Sequence, residues 1–158
     1  KKLKRNVIEL LMARAPESEA IKEIAAREGI TETRFKHIDA KQQVKNCIAC
    51  GLCAQVCSEV VGVSAISMVN RGFEKTSGTP FKKMSSVCIG CGACAYICPT
   101  NAIEMKETKS SRIIWGREFA MQKCSECGVH YIPIAQVTWI VENTGKDRKF
   151  FDKCPDCR

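Results

Sequence analysis

The sequence predicts an α+β chain built in three segments. These are a helical arm over 1–46, a cysteine-motif segment over 47–108, and a linker with a small four-cysteine ribbon over 109–158. Three observations predict it. Eight of the twelve cysteines fall into two copies of one spacing, C-x2-C-x2-C-x3-C: Cys47, Cys50, Cys53, Cys57 and then Cys88, Cys91, Cys94, Cys98. The other four form two C-x2-C pairs, Cys124 with Cys127 and Cys154 with Cys157. Apolar residues before Cys47 recur at helical spacing, whereas short Ala-Ile segments after each motif read as strands.

In the arm, Val7, Ile8, Leu10 and Leu11 make one apolar stripe. Pro16 interrupts it, and a second helix over Glu17 to Arg27 carries Ala20, Ile21, Ile24 and Ala25, with Gly29 ending it. A third short helix is expected around Glu32 to Phe35. The arm is too small for a core of its own, so it must pack on the motif segment or on a partner. The start at Lys1 without a methionine gives the expectation that upstream residues precede it.

The twin motif suits cubane iron–sulfur chemistry. A [4Fe–4S] cube needs one thiolate per iron; three cysteines at x2 intervals wrap one side, and the fourth comes from elsewhere. The spacing resembles the bacterial two-cluster ferredoxins, in which the fourth cysteine of each run ligates the other cluster. That resemblance assigns cluster one to Cys47, Cys50, Cys53 and Cys98, and cluster two to Cys88, Cys91, Cys94 and Cys57. Gly51, Gly90 and Gly92 let the backbone turn and approach the cube. Ile48, Ala49, Leu52, Val56, Ile89, Ala93, Ala95 and Ile97 are expected to form a dry jacket. A disulfide framework would need a secreted chain, and no signal peptide is visible. Zinc knuckles use pairs rather than interlocked fours. Cys98 precedes Pro99 as the ferredoxin pattern expects, but Cys57 precedes Ser58. Ser58 is expected either to offer an extra amide to cluster two or to cap a helix.

The two C-x2-C pairs, separated by residues 128–153, read as one four-thiolate site. Zinc is the first choice because it accepts four thiolates without redox demands; a single iron, as in rubredoxin, is the alternative, and a metal-free disulfide role is the third reading. Between the pairs, PIAQVTWIVEN reads as a helix from Pro133 to about Asn143, with Gly145 just past its end and Ile134, Val137, Ile140 and Val141 on one face. His130 is read as a surface residue or as a neighbour set behind the ligands, since four thiolates already fill the shell. SRIIWGREF is rich in strand formers.

The formal charge is +8, which counts the cysteines as neutral. Two cubane sites and one zinc site, each contributing about −2 with their thiolates, lower it to about +2. That weakens any nucleic-acid inference from charge. KKLKR and Lys82-Lys83 remain local basic patches, read as solvated faces or as docking points for an acidic partner. No stretch approaches a membrane span of roughly 18 apolar residues. Metal-bound thiols imply a reducing compartment, hence the cytoplasm.

A more specific resemblance rests on Glu59, Val60, Gly62, Ala65-Ile66, Asn70-Arg71-Gly72-Phe73 and Gly78-Thr79-Pro80, with NVIELLMARAP before them. Over about residues 5–105 the chain resembles the iron–sulfur subunits of NADH dehydrogenase, of NAD-linked or bifurcating iron hydrogenases, and of NAD-linked formate dehydrogenases. That group often carries a histidine and three cysteines in the arm for a further cluster. Here ARAPESEAIKEIAAREGI has neither, and no [2Fe–2S], hydrogen or molybdenum site is visible. The resemblance implies an electron relay within a multi-subunit oxidoreductase, partnered by flavin/NAD-binding, hydrogenase or formate dehydrogenase subunits, with no substrate-converting site of its own. The competing readings are a diffusible ferredoxin and a nucleic-acid-binding module with structural metals.

Overall fold

A computed structural model describes residues 2–37, 44–79, 81, 83 and 85–158. Lys1, Pro80 and Lys82, named above, lie outside the described residues. The chain divides into two compact units. The first comprises Lys1–Ser85 with Ala93–Ile103, and the second Ser86–Gly92 with Glu104–Arg158.

The first unit opens with two helices, α1 (Lys2–Arg14) and α2 (Glu19–Arg27). They close on a small core of Ile8, Ala25 and Ile30, with Met12 packed against it. Gly29 takes a left-handed φ of 65°. This lets the Ile30 and Gly29 amides donate back to the Ala25 and Ala26 carbonyls, at 2.9 and 3.0 Å. The paired bonds form a Schellman stop, with buried Ile30 as its apolar partner.

The third helix expected at Glu32 to Phe35 does not form. Side-chain anchoring replaces it. Thr33 donates its hydroxyl to the Glu9 carbonyl at 2.7 Å, and Arg34 reaches Glu9 at 2.6 Å and Asn6 at 2.6 Å. The Glu9 side chain is wholly buried and also accepts from Arg5 at 2.9 Å. Beside it, the two guanidiniums hold its carboxyl below the usual range, Arg34 first and Arg5 second.

Beyond the arm come α3 (Leu52–Gln55), a π-helical turn over Val56–Val60, the strands β1 (Ser67–Val69) and β2 (Thr76–Gly78), and α4 (Ala93–Tyr96). β1 and β2 pair antiparallel, Ser67 opposite Gly78. The strands begin after the Ala65-Ile66 pair, whose two side chains are buried.

The second unit is an antiparallel meander of β3 (Met105–Glu107), β4 (Ser111–Ile114), β5 (Arg117–Lys123) and β6 (His130–Pro133). Between β4 and β5, Trp115 and Gly116 both have positive φ, 54° and 74°. Ile114 faces Arg117 across them, so the link is a two-residue hairpin whose left-handed residues match the strand twist. A bulge at Gln122/Lys123 precedes Cys124.

The expected spacer helix is α5 (Ile134–Thr144). Pro133 sits at its N-cap, and a left-handed Gly145 donates to the Val141 carbonyl at 3.0 Å. α5 packs on β5 and β6. Of its predicted apolar face only Val137 is fully buried, while Ile134 is exposed. No helix among the described residues is long and apolar enough to cross a membrane.

Candidate metal centres

In the first unit, Cys47, Cys50, Cys53 and Cys98 line one cavity, together with Ile48, Met68, Ser77 and Ile103. These are the four cysteines assigned by sequence to cluster one. The local backbone explains the gathering. Ala49 and Gly51 both take left-handed φ, 57° and 84°. The loop therefore reverses hand twice between Cys47 and Cys53, then enters α3 directly.

The Ala49 amide donates to Cys47 Sγ at 3.4 Å. The last cysteine of each motif receives an equivalent bond: Ala65 donates to Cys57 Sγ and Ala102 to Cys98 Sγ, each at 3.3 Å. Ser64 and Asn101, immediately before those donors, share a left-handed φ of 53° and 50°. The Ala-Ile pairs thus have a role that the sequence did not reveal. They aim an amide at a thiol before the strand begins.

Buried hydroxyls reach the same sulfurs. Ser77 Oγ lies 3.8 Å from Cys47 Sγ, and Thr100 Oγ1 lies 3.6 Å from Cys98 Sγ. Ser77, Thr76 and Thr100 are all buried. At Cys47, burial pushes the thiol up, but the Ser77 amide, Thr76 hydroxyl and Ala49 amide outweigh it and hold the thiol below its ordinary value. Cys53 goes the other way: burial raises it, helped by the neighbouring Cys47 and Cys50. Amide and hydroxyl donors with thiols around one cavity are the donor chemistry a [4Fe–4S] cube requires.

Arg14, at the end of α1, fixes this loop from behind. Its guanidinium donates to the carbonyls of Cys47 and Phe73, each at 2.8 Å, and to that of Lys75. The expected apolar jacket is partial. Ile48 lines the cavity and Ile89 is buried in the second unit, but Leu52 and Ile97 are exposed. Ser58 caps no following helix. It lies within the π-helical turn, and its hydroxyl bonds back to Ala54 and Gln55 carbonyls at 3.0 and 3.3 Å.

Of the cysteines assigned to cluster two, Cys57 and Cys94 belong to the first unit, and Cys88 and Cys91 to the second. In the second unit the loop Ser86–Gly92 is held by arginines of the sheet. Arg112 donates to the Gly90 and Cys91 carbonyls at 3.0 and 2.9 Å, and Arg117 to those of Ser86 and Cys88 at 3.2 and 3.4 Å.

A further candidate centre lies wholly in the second unit. The sulfurs of Cys124, Cys127, Cys154 and Cys157 are all within 4.8 Å of one another. Cys127 and Cys154 stand 3.6 Å apart, too far for a disulfide bond. Four thiolates at about 2.3 Å from one tetrahedral ion stand about 3.8 Å apart, so the spacing fits a single ion.

The site is built where β5 ends and the C-terminal turn returns. The Cys124 amide donates to the Val129 carbonyl at 2.8 Å, and the Cys154 amide to Cys124 Sγ at 3.3 Å. Amides of Cys127 and Cys154 bring the Cys124 thiol down to about 6. Cys157 is pushed up to about 12 by hydrogen bonds to Cys154 and Cys127. His130 lies in β6 opposite Lys123 and is not among the four clustered ligands.

Comparison with known families matches residues 81–104 to the 4Fe-4S binding domain. The matched stretch contains all of the second motif and indicates [4Fe–4S] binding and electron transfer. No curated protein matches the chain.

Proposed function

We propose that this chain is an electron-relay segment of a multi-subunit oxidoreductase. It would carry two [4Fe–4S] clusters, one on Cys47, Cys50, Cys53 and Cys98, the other on Cys88, Cys91, Cys94 and Cys57. The supporting observation is the first-unit cavity: three cysteines of one motif and the last cysteine of the other line it, with amides and hydroxyls on their sulfurs. Iron–sulfur clusters supply one-electron chemistry, and the protein supplies spacing, shielding and tuning.

In this reading each cluster accepts one electron from a reduced flavin or [2Fe–2S] centre of a neighbouring subunit and yields it to a catalytic or ferredoxin-facing centre. Donated hydrogen bonds favour the reduced state, which is more negative by one charge, while burial of Cys47 and Cys53 opposes it. The four-thiolate site takes zinc as a structural ion, with a single iron as the alternative. The resemblance to NADH dehydrogenase, iron hydrogenase and formate dehydrogenase subunits supports the partner class. Twelve thiols kept for metals support a cytoplasmic setting.

A coulometric titration under nitrogen tests the relay reading. The native chain takes up about two electrons and returns them to an oxidant without loss of iron. A chain that binds no reducible iron would refute it. Cys53→Ser is expected to remove one electron equivalent and leave the other.

A further inference from the structure

We propose that Arg112 and Arg117 are positioning residues for the cluster that Cys88 and Cys91 serve. They fix the carbonyls of this loop and so aim its amides at the thiolates. The proposal rests on the relay reading.

The Arg112 side chain is only 9% exposed. Glu107 offsets its charge at 2.7 Å, and Arg112 then directs Nη1 at two successive carbonyls, Gly90 and Cys91. A guanidinium needed only for an ion pair would remain in water, where such pairs cost less to form. This one is buried against a cysteine loop and hydrogen-bonded to its backbone.

The geometry of the peptide carries the consequence. In a planar trans unit the C=O and the following N–H point in opposite directions. Holding the Gly90 and Cys91 carbonyls on the Arg112 side turns the Cys91 and Gly92 amides to the opposite side. Arg117, through Ser86 and Cys88, does the same for the amides of Val87 and Ile89. Gly90 and Gly92 have φ of 70° and 81°. Their alternating hand makes successive amides converge into a concavity that binds anions.

The first motif has the same alternation of hand at Ala49 and Gly51, and there the Ala49 amide, which stands where the Gly90 amide stands in the second, donates to Cys47 Sγ, so a loop of this conformation brings an amide to a cysteine sulfur. The position differs for a reason within the second unit. A Cβ on Gly90 would stand 2.6 Å from the Phe119 ring, over which Arg117 stacks at 4.7 Å. β4 and β5 therefore form a cradle of two guanidiniums and one ring behind the loop.

Redox titrations followed by EPR, on the full chain prepared without oxygen, test the proposal with Arg112→Lys, Arg112→Gln and Arg117→Lys. Lysine keeps the charge but cannot hold two carbonyls and Glu107 in one planar fork. The expected result is a lower midpoint potential for one cluster in Arg112→Lys as well as Arg112→Gln. The cluster that responds to Ser77→Ala stays at its native potential. The exchangeable proton hyperfine couplings, found by comparing spectra in H2O and D2O, should weaken in the variants at the shifted cluster only.

Native potentials in Arg112→Lys with a shift in Arg112→Gln would overturn the proposal, since charge alone would then account for the effect. Native potentials in both would also overturn it. If Arg112 variants lose iron, Arg117→Lys carries the same comparison through Ser86 and Cys88, and a native potential there is the refuting result. A native chain without reducible clusters would instead sink the relay reading, and the proposal with it.

Discussion

The Ser77 hydroxyl lies against Cys47 Sγ in a position almost closed to solvent. A hydrogen bond to sulfur gains strength when the sulfur becomes more negative, so it favours reduction. If the gain is about 1 kcal/mol, Ser77→Ala lowers the one-electron potential of that cluster by about 40 mV. Ser77→Thr, which keeps the hydroxyl, should stay near the native value. EPR-monitored redox titration measures both, and an unchanged Ser77→Ala potential would contradict the assignment.

Glu9 supplies a second prediction at this scale. Its folded carboxyl titrates below the ordinary carboxylate value because of Arg34 and Arg5. Stability from this group is complete above the unfolded carboxylate value, about 4.3, and is lost as pH falls through the lower folded value. Helical signal followed during acid titration should therefore decline below about pH 4. Glu9→Gln should remove that acid-dependent part while lowering the melting temperature at neutral pH. An unaltered acid limb would refute the role.

The two cysteine loops are held by different elements, and their tolerance should differ accordingly. Gly90→Ala drives a methyl into the Phe119 ring at 2.6 Å and adds a left-handed alanine. Overpacking costs about 1–3 kcal/mol and the backbone about 1–2 more. The expected outcome is a lower melting temperature with iron lost from the second motif. Ala49→Gly, in the first motif, already has the required φ and should keep full iron. Iron analysis beside thermal melts checks the pair, and native iron content in Gly90→Ala would contradict the packing account.

At this scale the arm helices, the spacer helix and the cysteine spacings were legible, because periodicity and caps act locally. The residues around Thr33 and Arg34 were not, because their conformation is set by anchoring to Glu9 on α1. The four-stranded meander was only partly legible. β3, β4 and β6 are three or four residues long, and their order depends on pairing across residues 105–133. Arg112 and Arg117 lie in a stretch whose sequence shows only strand formers; their carbonyl partners reveal what the two side chains hold. Ser77 and Thr100 lacked any pattern that would mark them as sulfur ligands' neighbours.

For the molecule as a whole, any metal held by these cysteines adds its binding free energy to folding, because small cores contribute little by themselves. β5 runs from Arg117 and Phe119, behind the 86–92 loop, directly to Cys124. Disrupting the single-ion site by Cys127→Ser should therefore loosen that strand. Iron of the second motif should then exchange faster with a chelator, while the cluster in the first-unit cavity is retained. Equal loss from both motifs would contradict this ordering.

The most direct test of the central claim is metal analysis with EPR on anaerobically purified chain. The account predicts about eight irons and one zinc, with two magnetically interacting reduced cubes. Nine irons without zinc would keep the relay and replace the structural ion by a rubredoxin-type centre. A folded chain that is colourless and free of iron would contradict the account.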